Sequence, residues 1–163
     1  MIYVTVGTHE QPFNRLIECV DELKGKGIIS EEVIIQSGFS NYEIKHCKHK
    51  DLFNKNDMLV NYEGARIIIM HGGPSSIIQS LQEGKVPIVV PRQKRFNEHI
   101  NDHQLEFGRA VSKRYNNIIL IEDISDLENA IVNYDKLAGE RAKSGFNNNA
   151  AFCDALAKIV DEL

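Results

Sequence analysis

The sequence predicts an α/β protein with a Rossmann-like parallel sheet that is covered by helices on both faces. Short apolar runs, such as IYVTV and RIIIM, alternate along the chain with longer stretches in which apolar residues recur at helical spacing. Runs of roughly four to six apolar residues without polar alternation are typical of strands buried on both faces. Strands and helices that alternate in this way form parallel βαβ units, so we expect one domain over residues 1–163.

The composition is that of an ordinary globular protein. Hydrophobic residues make up 42% of the 163 residues and charged residues 26%, with a formal net charge of −4. Proteins that bind nucleic acid non-specifically carry a basic surface, so this charge argues against a nucleic-acid partner. The cysteines, Cys19, Cys47 and Cys153, form no CxxC pair, which is typical of a reducing cytoplasm.

The N-terminal residues predict neither a signal peptide nor a membrane anchor. Residues 1–13 are apolar only briefly and lack a basic start. No run in the chain approaches the roughly 18 apolar residues of a transmembrane helix. We therefore expect a cytoplasmic protein that reaches a membrane only through a partner.

Apolar periodicity predicts the elements in order. In the first half we expect a strand at 2–6, a helix at 12–23, a strand at 32–37, a polar stretch at 39–50 with a short extended segment around Tyr42 and Ile44, and a helix within 52–65. In the second half we expect strands at 66–70, 86–90 and 118–121, a helix that begins at Pro74, and helices at 97–112, 126–134 (capped by Ser125) and 150–163.

Gly7, Thr8 and His9 follow the first predicted strand. A glycine at this place lets the backbone approach a ligand, and Thr8 offers a hydroxyl at a helix N-terminus. The dinucleotide fingerprint GxGxxG is absent, because Gly7 is followed by THEQP. The residues argue against an NAD-dependent enzyme and leave two explanations open, a ligand-binding turn and a plain tight turn.

The segment HGGPSS at 71–76 joins a predicted strand to a helix. Two glycines allow a ligand to approach the backbone closely, and Ser75 and Ser76 are suited either to cap the helix or to donate to a ligand. No GKS or GKT follows at P-loop spacing. An anion bound here would therefore be met by backbone N–H groups and by the helix dipole.

The polar segment 91–104 carries groups that suit a sugar better than a metal. His99 and His103 are four residues apart and would share one face of the predicted helix, beside Asp102. An HxxxH pair can chelate zinc, but the HExxH order and a third ligand are lacking. We therefore expect no metal site and assign the segment to sugar hydroxyls.

The sequence lacks the motifs of two other enzyme classes. An α/β-hydrolase needs a GxSxG turn, whereas Ser75 is preceded by GGP. A nucleotide-dependent epimerase or dehydrogenase would carry GxGxxG and a YxxxK pair, and the sequence has neither.

The ordered motifs VTVGTH, HGG, GKVPIVVPR and NDHQ resemble the nucleotide-sugar signature of the glycosyltransferase family 28 C-terminal domain. The resemblance covers nearly the whole chain. In size and pattern the chain is similar to the small soluble subunits of two-part bacterial exopolysaccharide or capsule transferases. It is also similar to the eukaryotic soluble subunit of the dolichol-linked UDP-GlcNAc transferase.

This resemblance implies the donor-binding half of an inverting GT-B glycosyltransferase that is divided between two chains. The chain would hold a UDP-sugar at the carboxyl ends of its strands, without a bound metal or other cofactor. A membrane-associated partner would recruit it to the inner face of the plasma membrane and supply the site for the lipid-linked acceptor. The general base is expected on the partner, and His9 is a candidate on this chain.

Carried over residue by residue, the resemblance implies a substrate-binding set. It places the diphosphate at Gly72, Gly73, Ser75 and Ser76, with His71 beside them and with Gly7, Thr8 and His9 closing over it. The uracil would be flanked by Pro91 and Arg92.

Two departures from the family pattern concern the ribose and the sugar. Relatives carry a glutamate for the ribose five residues before the glycine of GKP, where this chain has Gln79. An amide can bond a diol without the charge, alone or together with Glu83. In relatives, a pair of adjacent residues binds the sugar. An ungapped match places this pair at Glu98-His99, whereas a match of the helices places it at His103-Gln104, and both pairs remain candidates.

A non-catalytic companion that stabilises or enhances a separate transferase is the alternative function, and Gln79 is the feature that favours it. The apolar face of the predicted last helix is a candidate docking surface, with packing on the chain's own core as the other explanation. That face consists of Ala151, Ala155, Leu156, Ile159 and Val160.

Overall fold

The computed structural model describes residues 1–141. Six strands form one sheet, namely β1 (Ile2–Thr5), β2 (Val33–Gln36), β3 (Lys48–Lys50), β4 (Ile67–Met70), β5 (Ile88–Val89) and β6 (Ile119–Leu120). Their spatial order is β3-β2-β1-β4-β5-β6, and every neighbouring pair is parallel. The predicted fold class, an α/β Rossmann-like parallel sheet, is confirmed.

Helices cover both faces of the sheet. They are α1 (Asn14–Gly25), α2 (Lys55–Gly64), α3 (Pro74–Gln82), α4 (His103–Tyr115), α5 (Leu127–Val132) and α6 (Tyr134–Gly139), with short 3-10 turns at Lys94–Phe96 and Ile124–Asp126. Alternate residues of β1 enter different cores, because successive strand side chains point to opposite faces. Ile2 and Val4 pack with α1 and α5, while Tyr3 packs with α2 and α3. Within residues 1–141 no helix is long and apolar enough to cross a bilayer.

The helix predicted at 97–112 begins instead at His103. Asn97 adopts a left-handed conformation with φ 56° and ends the 3-10 turn, and an α-helix cannot continue through such a residue. The backbone N–H of Lys94 donates to Asp102 Oδ1 at 2.8 Å and holds residues 94–102 as a folded loop. The prediction that His99 and His103 share one helix face is therefore wrong.

Three smaller expectations also differ from the structure or lie outside it. The extended segment of the polar stretch is β3 rather than the part around Tyr42 and Ile44, because the buried Asp21 carboxylate binds the backbone N–H groups of residues 45–47 and shapes them as a loop. Asp123, and not Ser125, caps the turn before α5, by accepting from the Ser125 N–H at 3.0 Å. The predicted helix at 150–163 lies outside the described residues.

The order of the strands reverses between β1 and β4. In open parallel sheets, ligands bind outside the carboxyl ends of the strands at such a switch point. Gly7 follows β1 there, and His71, Gly72 and Gly73 follow β4. The fold therefore brings the two turns that the sequence analysis selected to one place.

Candidate donor-binding site

The His71 ring lies between two glycines at the switch point. A Cβ atom on Gly73 would stand 2.4 Å from His71 Nε2, and one on Gly7 would stand 2.6 Å from Cε1. Gly7 also has φ 75°, where other residues are strained. The two glycines are thus required by the imidazole that they flank, and the turn after β1 is more than a plain tight turn.

His71 is neutral at pH 7. Burial lowers the pKa of His71 to about 4, and the positive charge of Arg92 adds to the shift. Nδ1 lies 3.4 Å from the Thr5 carbonyl oxygen, so Nδ1 carries the proton and Nε2 keeps its lone pair. His71 can therefore offer a neutral acceptor beside the glycines, but no positive charge.

The N-terminus of α3 has no side-chain cap. Gly73 occupies the N-cap position in an extended conformation, and Pro74 is the first helical residue. The first intrahelical bond runs from Ile77 N–H to the Gly73 carbonyl at 3.2 Å, so the N–H groups of Ser75 and Ser76 precede it. These serines do not cap the helix, and the α3 N-terminus is open to an anion.

Gln104 is buried beneath this edge. Its Oε1 accepts from the Gly72 N–H at 3.1 Å and from the Arg92 N–H at 3.2 Å, which joins the ends of β4 and β5. A Cβ on Gly72 would stand 2.9 Å from Gln104 Cβ. Gln104, 5% exposed, therefore holds the backbone of the site in place.

Arg92 ties together the two loops that border the site. Its guanidinium is fully buried and donates to the carbonyl oxygens of Gln11 (2.7 Å), Val6 (2.9 Å) and Glu98 (3.1 Å). Burial lowers the pKa of Arg92 to about 10, and Glu98 opposes the shift, so Arg92 remains charged at pH 7. Its side chain is occupied by protein oxygens rather than turned towards a base.

Arg15 and Glu98 complete this connection. Arg15 Nε and NH2 donate to the two Glu98 carboxylate oxygens at 2.8 and 2.9 Å, and Glu98 Oε2 also accepts from the Gln93 N–H at 3.0 Å. The Arg15 guanidinium lies 4.6 Å from the centroid of the Phe96 ring. We call Arg15, Arg92 and Glu98 the arginine clamp. The hydrogen bonds of the clamp give Arg92 and Glu98 a role in the support of the loops, and their expected contacts with the uracil and the sugar stay predictions.

Three imidazoles meet above the clamp. The rings of His9 and His99 stack with centroids 4.5 Å apart and planes at 21°, and His103 meets His99 edge-on with centroids 4.5 Å apart. Burial lowers the pKa of His99, and the neighbouring His9 and His103 add to the shift. We call these residues the histidine stack. Each candidate sugar-reading pair thus contributes one imidazole to the stack and one side chain, Glu98 or Gln104, to the interior.

An apolar pocket of about 190 Å³ lies between α2 and α3. Burial raises the pKa of Tyr62, in the pocket wall, to about 12, and the neighbouring Ser76 side chain opposes the shift. Gln79 lies in the same wall, with Nε2 3.4 Å from Glu83 Oε1. The lining residues are Lys55, Met58, Leu59, Tyr62 and Gln79. The pocket therefore adjoins both the first turn of α3 and the residue expected to bind ribose.

Sequence reasoning missed the pocket and Arg15. The apolar residues of α2 are periodic, but periodicity indicates only that one face is covered and not whether protein or ligand covers it. Arg15 stands among the apolar residues Phe13, Leu16 and Ile17, which was a signal of a paired cation. Its partner Glu98 is 83 residues away and could not be identified from local sequence.

Within residues 1–141, no three or more His, Cys, Asp or Glu side chains are grouped so as to hold a metal ion. Cys19 and Cys47 are free thiols.

Comparisons with solved structures show the same fold in glycosyltransferases. A crystal structure of the glycotransferase of kitacinnamycin superposes with a TM-score of 0.61 at 18% identity, covering 87% of this chain and 38% of the other. The glycosyltransferase SnogD from Streptomyces nogalater gives a TM-score of 0.52 at 18% identity, covering 96% of this chain and 43% of the other. The chain thus spans about two fifths of these proteins.

Sequence comparisons identify the family. No curated protein matches the chain in sequence. The glycosyltransferase family 28 C-terminal domain matches residues 1–159, which is nearly the whole chain. The match agrees with the fold that the chain shares with the solved glycosyltransferases. The chain belongs to the glycosyltransferase family 28 C-terminal domain family.

Proposed function

We propose that this chain binds a UDP-sugar at the carboxyl edge of its sheet and is the donor-binding, catalytic subunit of an inverting hexosyltransferase. It would transfer a hexose to a lipid-linked saccharide in exopolysaccharide or capsule synthesis. The observation that carries the proposal is the junction of β4 and α3. There a glycine turn, an uncapped helix N-terminus and an apolar pocket adjoin one another.

The diphosphate would lie on the turn after β4. The N–H groups of Ser75 and Ser76 and the positive end of the α3 dipole favour an anion at this place. Gly73 leaves room for its close approach, and Gly7 and Thr8 would border it from the turn after β1. Each such interaction contributes about 0.3–1 kcal/mol at an exposed site, so several are needed to hold the ligand.

The nucleoside would enter the pocket between α2 and α3. An apolar wall with a few polar groups is the usual lining of a small-molecule site. Met58 and Leu59 would contact the faces of the uracil, and the Gln79 amide would bond the ribose hydroxyls. This assignment replaces Pro91 and Arg92 as neighbours of the base.

The sugar would extend from the diphosphate towards the histidine stack. In the proposed reaction an acceptor hydroxyl attacks the anomeric carbon, the bond from that carbon to the UDP oxygen breaks, and a general base takes the hydroxyl proton. Attack from the face opposite UDP inverts the configuration. This chain would contribute orientation of the donor and stabilisation of the departing UDP, with no further cofactor.

A membrane-associated partner would supply the acceptor site and the general base. This part of the proposal follows from the resemblance of the motifs to the two-part bacterial transferases. We propose that the chain is cytoplasmic and is recruited by the partner to the inner face of the plasma membrane. His9 is the candidate base on this chain, because its ring borders the sugar position.

Co-production with the partner tests the proposal. Membranes that contain both proteins are incubated with labelled UDP-galactose, UDP-glucose or UDP-GlcNAc, and we expect one donor to label the lipid-linked acceptor. The purified chain alone should transfer little sugar. Robust transfer by the isolated chain would show that the divided-enzyme account is wrong.

A non-catalytic companion is the second candidate, because Gln79 stands where relatives carry a glutamate. Titration calorimetry with UDP separates the two functions. A donor-binding subunit should bind UDP saturably and lose affinity in Gln79→Ala. Asn129→Ala, at an exposed position of α5, is the control. The companion function predicts no saturable binding, in the original chain or in either variant.

A further inference from the structure

The histidine stack joins the two loops that border the proposed donor site. His9 comes from the turn after β1, and His99 and His103 come from the segment after β5. Arg92 fixes both loops by binding the carbonyl oxygens of Gln11 and Glu98. The three rings therefore stand at a defined position and not at the tip of a free loop.

The hydrogen bonds of the stack determine where its rings can accept protons. Gln11 donates from Nε2 to the Asn97 carbonyl (3.2 Å), so its Oε1 accepts from His9 Nε2 at 3.0 Å, which leaves His9 Nδ1 as the basic nitrogen. Asn101 Oδ1 accepts from the His103 N–H and from His103 Nδ1, which leaves His103 Nε2 as the basic nitrogen. Neither nitrogen has a partner among residues 1–141.

The cations near the stack are already engaged or neutral. The buried Arg92 guanidinium donates from NH1 and NH2 to three carbonyl oxygens, and its Nε has no hydrogen-bond partner among the described residues. The same arginine contributes to the lowered pKa of both His71 and His99. His71, which adjoins His9, is neutral at pH 7. Arg92 is charged at pH 7 and acts on the site only through its field, while His71 is neutral. The unpartnered nitrogens of the stack are therefore the groups that can bring an additional positive charge to a diphosphate in the glycine turn.

The carboxylates near the stack are engaged as well. Glu98 pairs with Arg15 beneath the stack. Asp102 accepts from the Lys94 N–H at 2.8 Å, on the segment that carries His99 and His103. Neither carboxylate is free to stabilise an imidazolium, so an incoming anion would be the new electrostatic partner of the rings.

We propose that the histidine stack is a proton-coupled binding site for the diphosphate of the donor. Binding of the dianionic or more highly charged diphosphate draws a proton from solvent onto His9 Nδ1 or His103 Nε2, and the imidazolium then contacts the phosphate oxygens. The same cation stabilises UDP as it leaves. A protonated His9 cannot also take the proton of the acceptor, so the coupling assigns the general base to the partner. This inference rests on the proposed function, since it requires that the site binds a nucleoside diphosphate.

The physical reason is the effect of an anion on a histidine. An unperturbed imidazole has a pKa near 6.5, and an opposite charge within about 4–6 Å raises it. A diphosphate beside the stack would therefore favour the protonated form of one ring. Binding should therefore take up roughly one proton or less per UDP.

Calorimetry in several buffers tests the inference. UDP is titrated into the full chain at pH 7.5 in phosphate-free buffers of different ionisation enthalpy, and the slope of the binding enthalpy gives the protons taken up. We expect uptake with UDP and none with uridine, which lacks the diphosphate. The uptake should fall in His9→Gln and His103→Gln but persist in His49→Gln, which alters an exposed histidine of the edge strand β3.

The outcomes separate the two claims. Saturable UDP binding without proton uptake, or uptake that persists when His9, His99 and His103 are all replaced by glutamine, would overturn the proton coupling and leave donor binding intact. Absence of UDP binding to the unaltered chain would overturn the proposed function and the coupling together.

Discussion

Gly7 and Gly27 show how the same backbone conformation serves two purposes. Both residues have φ 75°. A Cβ on Gly7 would stand 2.6 Å from the His71 ring, whereas a Cβ on Gly27 would meet nothing within 4 Å. Gly27 is therefore needed only for its turn, while Gly7 is also needed for the ring that lies at the proposed diphosphate site.

The substitution Gly7→Ala is expected to affect both stability and UDP binding. Alanine at this φ costs about 1–2 kcal/mol, and displacement of His71 adds to that cost. Gly27→Ala is the matched control, with the same backbone strain and an unchanged UDP affinity. Urea unfolding and a UDP titration of both variants provide the comparison. Equal UDP affinities for the two variants would contradict the role assigned to the Gly7–His71 contact.

His71 makes stability depend on pH in a defined direction. Its folded pKa of about 4 lies below the unfolded value near 6.5, so between these values the unfolded chain binds more protons. The stability that the neutral His71 contributes is fully present above pH 6.5 and is lost as the pH falls towards 4. Over this range the free energy of unfolding changes by at most about 1.4 kcal/mol per pH unit.

We expect the free energy of unfolding to be lower at pH 5 than at pH 7. The substitution His71→Asn should reduce that difference. Urea unfolding at the two pH values measures the difference, with His49→Asn as the control for loss of a histidine from the surface. A pH dependence as steep in His71→Asn as in the original chain would assign the effect to other groups.

The loops after β1 and β5 depend on each other through the arginine clamp. The Arg15 and Glu98 side chains are 13% and 5% exposed, and the carboxylate and the guanidinium form two parallel hydrogen bonds. Removal of one member of a buried ion pair leaves an uncompensated charge. The positions of His9 and His99 should therefore be sensitive to a residue that touches neither ring.

Arg15→Met is expected to cost about 3–5 kcal/mol of the free energy of unfolding, because it leaves the Glu98 carboxylate buried and unpaired. Arg109→Met is the matched control. It breaks the Arg109–Glu122 pair, whose side chains are 57% and 41% exposed, and should cost about 0–1 kcal/mol. Chemical denaturation of the two variants measures the difference. Similar costs would show that the clamp does not stabilise the loops.

Helices and strands could be predicted where their bounds depend on neighbouring residues in the sequence. Runs such as IIIM predict a buried strand, and β4 is found within one residue of its expected bounds. The start of α4 could not be predicted, because it depends on the left-handed Asn97 and on the loop bonds of residues 94–102. Polar residues of the same loop suggested ligand contacts, whereas two of them, Arg92 and Glu98, are hydrogen-bonded to protein groups far away in sequence.

The whole molecule is a parallel sheet with a switch point, and that architecture was predictable from alternation of strands and helices. It also predicts which turns meet, since the carboxyl ends of β1 and β4 lie side by side. The pocket between α2 and α3 was not predictable, because it depends on how two helices pack on one face of the sheet. The proposed donor site accordingly depends on the fold and not on any one motif.

The most direct measurement is a titration of isotope-labelled protein with UDP, followed by amide chemical shifts in NMR spectra. Donor binding at the switch point predicts saturable shifts at residues 7–9, 55–62 and 72–79, and smaller effects around α5 and α6. Gly73→Ala should weaken them, because its Cβ would displace His71 from beside the turn. No saturable shifts, or shifts confined to residues 124–139, would contradict a donor site at this edge of the sheet.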